Sequence, residues 1–235
     1  MLYLIGLGLN ENSLTAEVLE IIKNSDEIYL ENYTVDFPYD KKILEEKTQK
    51  KIQELEREKV ENEEIISRAK EKNIVLLVYG DSLSATTHIQ LISACKEQKI
   101  NFKIIHNASI LTAVSETGLQ LYKFGKTSSI PAWKESWKPC SFLDYVKENQ
   151  SIGAHSLVLI DISLDIDKAI EQLKTALEEY DLDIDKIIVC KNLGTDKSEI
   201  IYDSLENISK KDIKPPYCFV IPGNLSDLEK KFLKN

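Results

Sequence analysis

The chain has 235 residues, 43% of them hydrophobic, enough to bury the core of one large α/β domain or two smaller ones. Its 39 acidic and 30 basic residues leave a formal charge of −9, so the surface as a whole repels polyanions and direct nucleic-acid binding is not expected. The four cysteines (Cys95, Cys140, Cys190, Cys218) are scattered through apolar runs, and His88, His106 and His155 form no tight His/Cys/Asp spacing. No metal centre is therefore expected, and the compartment should be reducing and cytoplasmic. Met1 to Gly6 lacks a basic leader, and Gly8, Asn10, Glu11 and Asn12 interrupt its apolar character, so it reads as a strand and neither a secretory signal nor a membrane span.

That strand, Leu2 to Ile5, is a continuous apolar run that stops at Gly6-Leu7-Gly8-Leu9, as suits a strand buried on both faces. A helix should follow, with Ser13 or Thr15 as cap and Val18, Leu19, Ile21 and Ile22 at near-helical spacing. Glu27 to Glu31 reads as a second strand, and the charged stretch from Asp40 to Asn73 as helices laid against the sheet. Ile74 to Tyr79 is the clearest buried strand, followed by a helix from about Thr86 to Lys99 and a strand from Phe102 to Ile105. This alternation is the rhythm of a parallel sheet with covered faces.

A helix near Ile110 to Leu121 comes next, then an irregular segment holding Gly125, Pro131 and Pro139. Ser156 to Ile160 opens a second sheet whose strands (Lys186 to Cys190, Ile200 to Tyr202, Tyr217 to Ile221) should be shorter and mixed in direction. Helices are predicted from about Asp167 to Tyr180 and from Leu225 to Glu229 onward. The domain boundary is placed at about residue 110, giving domains 1–110 and 111–235.

Glycines after the first strand would let a ligand approach the backbone closely. A dinucleotide site competes for that motif, but it wants a third glycine where this chain has Glu11, whose carboxylate would repel a pyrophosphate. A plain turn is a further alternative. Gly80-Asp81-Ser82-Leu83-Ser84-Ala85-Thr86-Thr87-His88 ends the clearest strand, where open α/β sheets place ligands, although Asp81, Ser82 or Ser84 could equally cap a helix. Asn107-Ala108-Ser109-Ile110 ends the next strand in the same way.

The wording then becomes specific. Leu4-Ile5-Gly6-Leu7-Gly8-Leu9, Glu31-Asn32-Tyr33-Thr34, Gly80 to His88, His106 to Ile110, Glu116 to Gly125, His155 to Ile162 and Ile221 to Leu225 resemble the diphthine synthase family over nearly the whole chain. The resemblance implies a two-domain, tetrapyrrole methylase-like α/β fold with a mainly parallel N-terminal sheet and a mixed C-terminal sheet, both flanked by helices. It implies a homodimer with a cofactor cleft between the domains, S-adenosylmethionine as methyl donor, and transfer to the amino group of a modified histidine on translation elongation factor two. Cofactor contacts carry over to Leu9, Asp81, Ser84, Ser109 and Ile110, and further to Ile160, Leu193 and Ser226. Asp81 should face that cleft and not the core. The family usually has proline where Ser82 stands and often histidine where Ser226 stands.

No metal is implied. For the substrate side, Asp81 and Glu116 could attract an amine, Tyr33 and Tyr122 could meet the methylated cation, or the tyrosines could pack in the core. His88 could act as general base or sit in the core. A methylase of corrin or porphyrin precursors and a non-catalytic S-adenosylmethionine sensor remain open alternatives.

Overall fold

The computed structural model describes residues 1–61, 64–162 and 164–234. The chain divides into two compact units, Met1–Ile110 and Leu111–Asn235. In the first, β1 (Leu2–Gly6), α1 (Ala16–Lys23), β2 (Glu27–Glu31), α2 (Lys41–Thr48), β3 (Gln53–Leu55), α3 (Arg57–Glu61), α4 (Glu64–Arg68), β4 (Ile74–Val78), α5 (Ile89–Glu97) and β5 (Phe102–Ile105) follow in order. The strands form one sheet, β3-β2-β4-β1-β5, in which every pairing is parallel.

The pleat explains the unbroken apolar runs. Leu2, Leu4, Ile74, Leu76 and Val78 point into one cluster, while Ile5, Val75 and Leu77 point into the other. A strand with helices on both sides must be apolar at every position, so β1 and β4 show no alternation. Thr15 caps α1 by accepting from the Val18 amide, and Val18 and Ile22 bury the inner stripe of that helix. Each such side chain, fully buried, contributes about 1.5–3 kcal/mol. α5 begins at Ile89, later than the sequence suggests, because Ala85 takes φ +57 and the chain from Ser82 to Thr87 turns irregularly before it can wind.

The second unit contains α6 (Ile110–Ala113, opening at the boundary), β6 (Ser128–Ile130), α7 (Phe142–Ser151), β7 (Ser156–Ile160), α8 (Ile166–Glu179), β8 (Lys186–Lys191), β9 (Glu199–Ser204), α9 (Leu205–Ile208), β10 (Tyr217–Ile221) and α10 (Asp227–Phe232). Its sheet runs β6-β7-β10-β8-β9, with only the β6–β7 pair parallel. The mixed direction matches the expectation; the shortness does not, since β8 and β9 each have six residues. α8 lays Ile166, Ala169, Ile170, Leu173, Ala176 and Leu177 into the core against Val158, Val189 and Phe219.

The expected helix from Ile110 to Leu121 is replaced by the single turn of α6 and a 3₁₀ turn at Val114–Thr117, ended by Gly118 at φ +76. A left-handed residue stops the winding there, as glycine does at helix ends. All four cysteines are buried, and none is in a disulfide.

Candidate functional site

Three parallel strands of the first unit end side by side, and hydrogen bonds tie their loops together. Leu7 N donates to Val78 O at 2.8 Å, and Gly8 and Gly80 exchange bonds of 3.0 and 2.9 Å. A Cβ on Gly6 would lie 2.6 Å from Gly80 O, and one on Gly8 would lie 2.5 Å from Ser13 Cβ, with Gly8 already at φ +72. These two glycines are therefore demanded by the chain's own packing, as the plain-turn alternative would have it. Gly80 is different: it is buried at φ +73, and Ala108 O and Ser109 Cα stand 3.8 Å from its Cβ position, so a side chain there would be strained by the backbone angle while meeting the loop after β5 only in ordinary van der Waals contact.

Asp81 and Asn107 make the seam between these loops. Asp81 Oδ1 accepts from Leu83 N (3.0 Å) and Ser84 Oγ (3.2 Å), while Oδ2 meets His106 Nδ1 (2.7 Å) and accepts from Asn107 N (3.2 Å). The residue is only 7% exposed, and its carboxylate is spent on joining the end of β4 to the end of β5. Burial pushes the carboxyl up, but the Leu83, His106 and Asn107 donors outweigh it and hold Asp81 below the ordinary aspartate value. Asn107 Nδ2 donates to Gly6 O and Ser13 O, both at 3.1 Å, which adds the β1 loop to the seam.

Around this seam lie the other residues suggested by the sequence. Leu9 is buried and its carbonyl accepts from Tyr79 Oη at 2.8 Å. Ser84 is half-buried, Ser109 is buried and Ile110 is half-buried. Ser82 is fully buried, and its Oγ has no hydrogen-bond partner within the protein.

His88 is 2% exposed, with Nδ1 3.0 Å from Ser82 O and Nε2 3.4 Å from Tyr33 Oη. Both ring nitrogens are engaged, an arrangement that fits a buried structural residue better than a base awaiting a proton. Tyr33 lies under the Arg57 guanidinium, 5.4 Å from the ring centre. Its amide donates to Glu31 Oε1 (3.0 Å), and Thr34 Oγ1 donates to Glu31 Oε2 (2.8 Å), so the buried Glu31 carboxylate organises the turn after β2.

In the second unit, Glu116 accepts from Gly194 N (2.8 Å) and Ser198 Oγ (2.6 Å). It thereby anchors the β8–β9 loop that carries the buried Leu193. Tyr122 is 83% exposed and donates to Gln120 Oε1, so it packs in no core. Ile160 ends β7, half-buried. Ser226 caps α10: its hydroxyl accepts from Glu229 N, and its amide donates to Glu229 Oε2 at 2.7 Å.

Glu229 itself was not foreseen. It is fully buried and gathers Gln120 N (3.1 Å), Lys123 Nζ, His155 Nε2 (3.1 Å) and the Ser226 amide. His155 Nδ1 in turn accepts from Gly223 N at 2.9 Å. Burial pushes Glu229 up, yet the Lys123 ammonium, the two amides and His155 drive it far below the ordinary carboxylate range. Burial lowers His155, against the pull of Glu229. Two of the segments singled out by wording in the sequence, Glu116 to Gly125 and His155 to Ile162, thus meet at one carboxylate, and a third, Ile221 to Leu225, is tied to them through His155 and Lys123; no local spacing announces it.

The family of tetrapyrrole (corrin/porphyrin) methylases matches residues 1–209. A diphthine methyl ester synthase of Schizosaccharomyces pombe is 36% identical across all of this chain and 93% of its own length. A human protein of the same name is 44% identical over an alignment spanning 70% of this chain and 59% of that protein. A solved structure of a diphthine synthase superposes with a TM-score of 0.90 at 32% identity, covering all of this chain and 95% of the other. The two-unit α/β fold with strand-end loops is that of a methyltransferase using a donor of the S-adenosylmethionine type. The chain belongs to the tetrapyrrole methylase family and, within it, to the diphthine synthases.

Proposed function

We propose that this protein transfers methyl groups from S-adenosylmethionine to the modified histidine of translation elongation factor two, methylating its amino group to give diphthine. The observation that carries this reading is the 36% identity shared over the full chain with the S. pombe diphthine methyl ester synthase. That relative's name speaks of an ester, which supports a further transfer to a carboxylate oxygen of the same side chain. The reading also takes the protein to act in the cytoplasm as a homodimer. Among the described residues no helix is long and apolar enough to cross a membrane.

The first unit offers features that fit the donor. Ser82 Oγ is a buried hydroxyl without a partner in the protein, and Gly80, held at φ +73, brings the end of β4 against Ala108 and Ser109 of the loop after β5. On this reading Leu9, Asp81, Ser84, Ser109 and Ile110 hold the donor, and Ile160, Leu193 and Ser226 are further candidates, each to be tested by substitution. Asp81 acts mainly by fixing the loop, since its oxygens already accept from Leu83, Ser84 and Asn107 and pair with His106.

When bound, the sulfonium supplies an already activated methyl carbon. What the chain must supply is rigid placement, which can lower a barrier by roughly 7–11 kcal/mol. The Asp81 and Asn107 bonds across three strand ends provide that rigidity. His88 and Glu116 have their polar atoms committed elsewhere, so the amine proton passes to solvent between turnovers.

The test is mass spectrometry of elongation factor two carrying the unmethylated intermediate, incubated with the purified protein and S-adenosylmethionine. A mass increase of a whole number of methyl groups on the modified histidine is expected, with one of them removed by mild alkali as an ester should be. An unchanged substrate, with the cofactor intact, refutes the reading.

A further inference from the structure

We propose that His88 is a positioning residue that holds the loop between β4 and α5 in the shape needed to receive the cofactor, and that Tyr33 fixes the tautomer in which it does so. The loop is one that polypeptide would not adopt unaided. Ala85 lies in the left-handed region at φ +57, where a side chain is disfavoured, and such a residue persists only where its surroundings over-determine it.

The surroundings here converge on one atom. Ser82 O accepts from Thr86 Oγ1 at 2.9 Å and faces His88 Nδ1 at 3.0 Å, so two side chains from beyond the left-handed residue clasp a carbonyl before it. A carbonyl can only accept, so Nδ1 must carry the proton; Nε2 is then a lone pair, and Tyr33 Oη at 3.4 Å is the donor that faces it. A hydroxyl donating to one ring nitrogen favours the proton on the other, the logic by which second partners select histidine tautomers. Tyr33 belongs to the turn after β2 that Glu31 organises, so the clasp also ties that turn to the β4 loop.

The position of the clasp gives it consequence. Ser82 lies between Asp81 and Ser84, both candidate donor contacts. A rotated Ser82 peptide would re-aim both neighbours without unfolding the sheet, because β4 and α5 are held by their own cores. This inference rests on reading the Gly80–His88 loop as a cofactor loop.

Asparagine and glutamine separate the two ring nitrogens. The amide nitrogen of His88→Asn stands where Nδ1 stands and can still reach Ser82 O; that of His88→Gln reaches toward the Nε2 position and Tyr33. Calorimetry with S-adenosylhomocysteine, below the melting temperature of each variant, should show His88→Gln and His88→Ala weakened about tenfold, the worth of roughly one good hydrogen bond. His88→Asn should remain within about threefold of the parent, and Tyr33→Phe should lose about threefold through the wrong tautomer. In turnover the cofactor KM should rise by the same factors while kcat holds.

Parent-like binding by His88→Gln, or His88→Asn as weak as His88→Ala, overturns the proposal even if all variants melt earlier. If the glutamine variant does not fold, unchanged affinity in Tyr33→Phe overturns the tautomer argument and with it the clasp. A parent that fails to bind S-adenosylhomocysteine takes down the cofactor reading instead, and this inference with it.

Discussion

Removing the Asp81 carboxylate should cost stability that can be apportioned between its two oxygens. Asp81→Ala strands the Leu83 and Asn107 amides and releases Ser84 and His106. A buried donor left unmet costs about 1–3 kcal/mol, nearer the lower end where the group is partly exposed, as Leu83 and Asn107 are. With the two weaker partners the loss should be about 2–4 kcal/mol. Asp81→Asn keeps the oxygen for Leu83 and Ser84 but turns an amide toward the Asn107 N–H, so about 1–2 kcal/mol should go. Urea unfolding of the three proteins measures these gaps as midpoint shifts at constant slope.

The gap must also depend on pH with a definite sign. Asp81 is held below its ordinary value in the folded protein, so as acid is added the unfolded chain takes up the proton first. Stability from this carboxylate is therefore fully present above the unfolded value of about 3.9 and fades as pH falls through the lower folded value. The difference between parent and Asp81→Ala should be flat from neutrality to about pH 5 and shrink below. A gap under about 0.5 kcal/mol at neutral pH, or one that widens in acid, refutes the reasoning about the seam.

Gly118→Ala should destabilise the second unit by about 1–3 kcal/mol, because the new methyl would strike the Phe232 ring and Gly118 sits at φ +76; thermal unfolding checks this, and an unchanged midpoint would refute it. Glu229→Gln should cost about 3–5 kcal/mol by leaving Lys123 without its buried counter-charge and turning a donor toward one of the present donors. A double-mutant cycle with Lys123→Met, read by urea unfolding, should recover part of that loss; strict additivity would show the pair uncoupled.

Strands without a charged position could be read from the sequence to within a residue, because a parallel sheet covered on both faces forces that composition locally: β1 and β4 are such cases. The three-residue edge strands β3 and β6 could not, since Gln53-Glu54-Leu55 and Ser128-Ser129-Ile130 become strands only through the neighbours that pair with them. α7 was hidden by a polar residue on its inner face. Asn149 is 2% exposed and bonds Lys126 N, Lys126 O and Ser156 Oγ, so burial there is polar and breaks the apolar period.

The candidate site was legible as a set of loops and not as a set of roles. The sequence places Asp81, Ser84 and Ser109 at strand ends, but nothing in it says that Asp81 is committed to bridging two loops or that Asn107 joins a third. Those bonds span 25 to 101 positions, and hydrogen bonds of that reach leave no periodic trace. The same holds for Glu229, whose partners lie up to 109 residues away.

The order β3-β2-β4-β1-β5 has a consequence for how this protein is made. β1 sits inside the sheet, flanked by β4 and β5, so its first partner is synthesised some seventy positions later and its second nearly a hundred. At about 5–20 residues per second, Leu2–Gly6 waits roughly 4 to 14 s with both edges bare and roughly 5 to 20 s before its second edge can be covered. Until Ile105 emerges, the nascent chain is a client for whatever holds hydrophobic segments apart, and its yield in a heterologous host will depend on that interval more than on the stability of the finished fold.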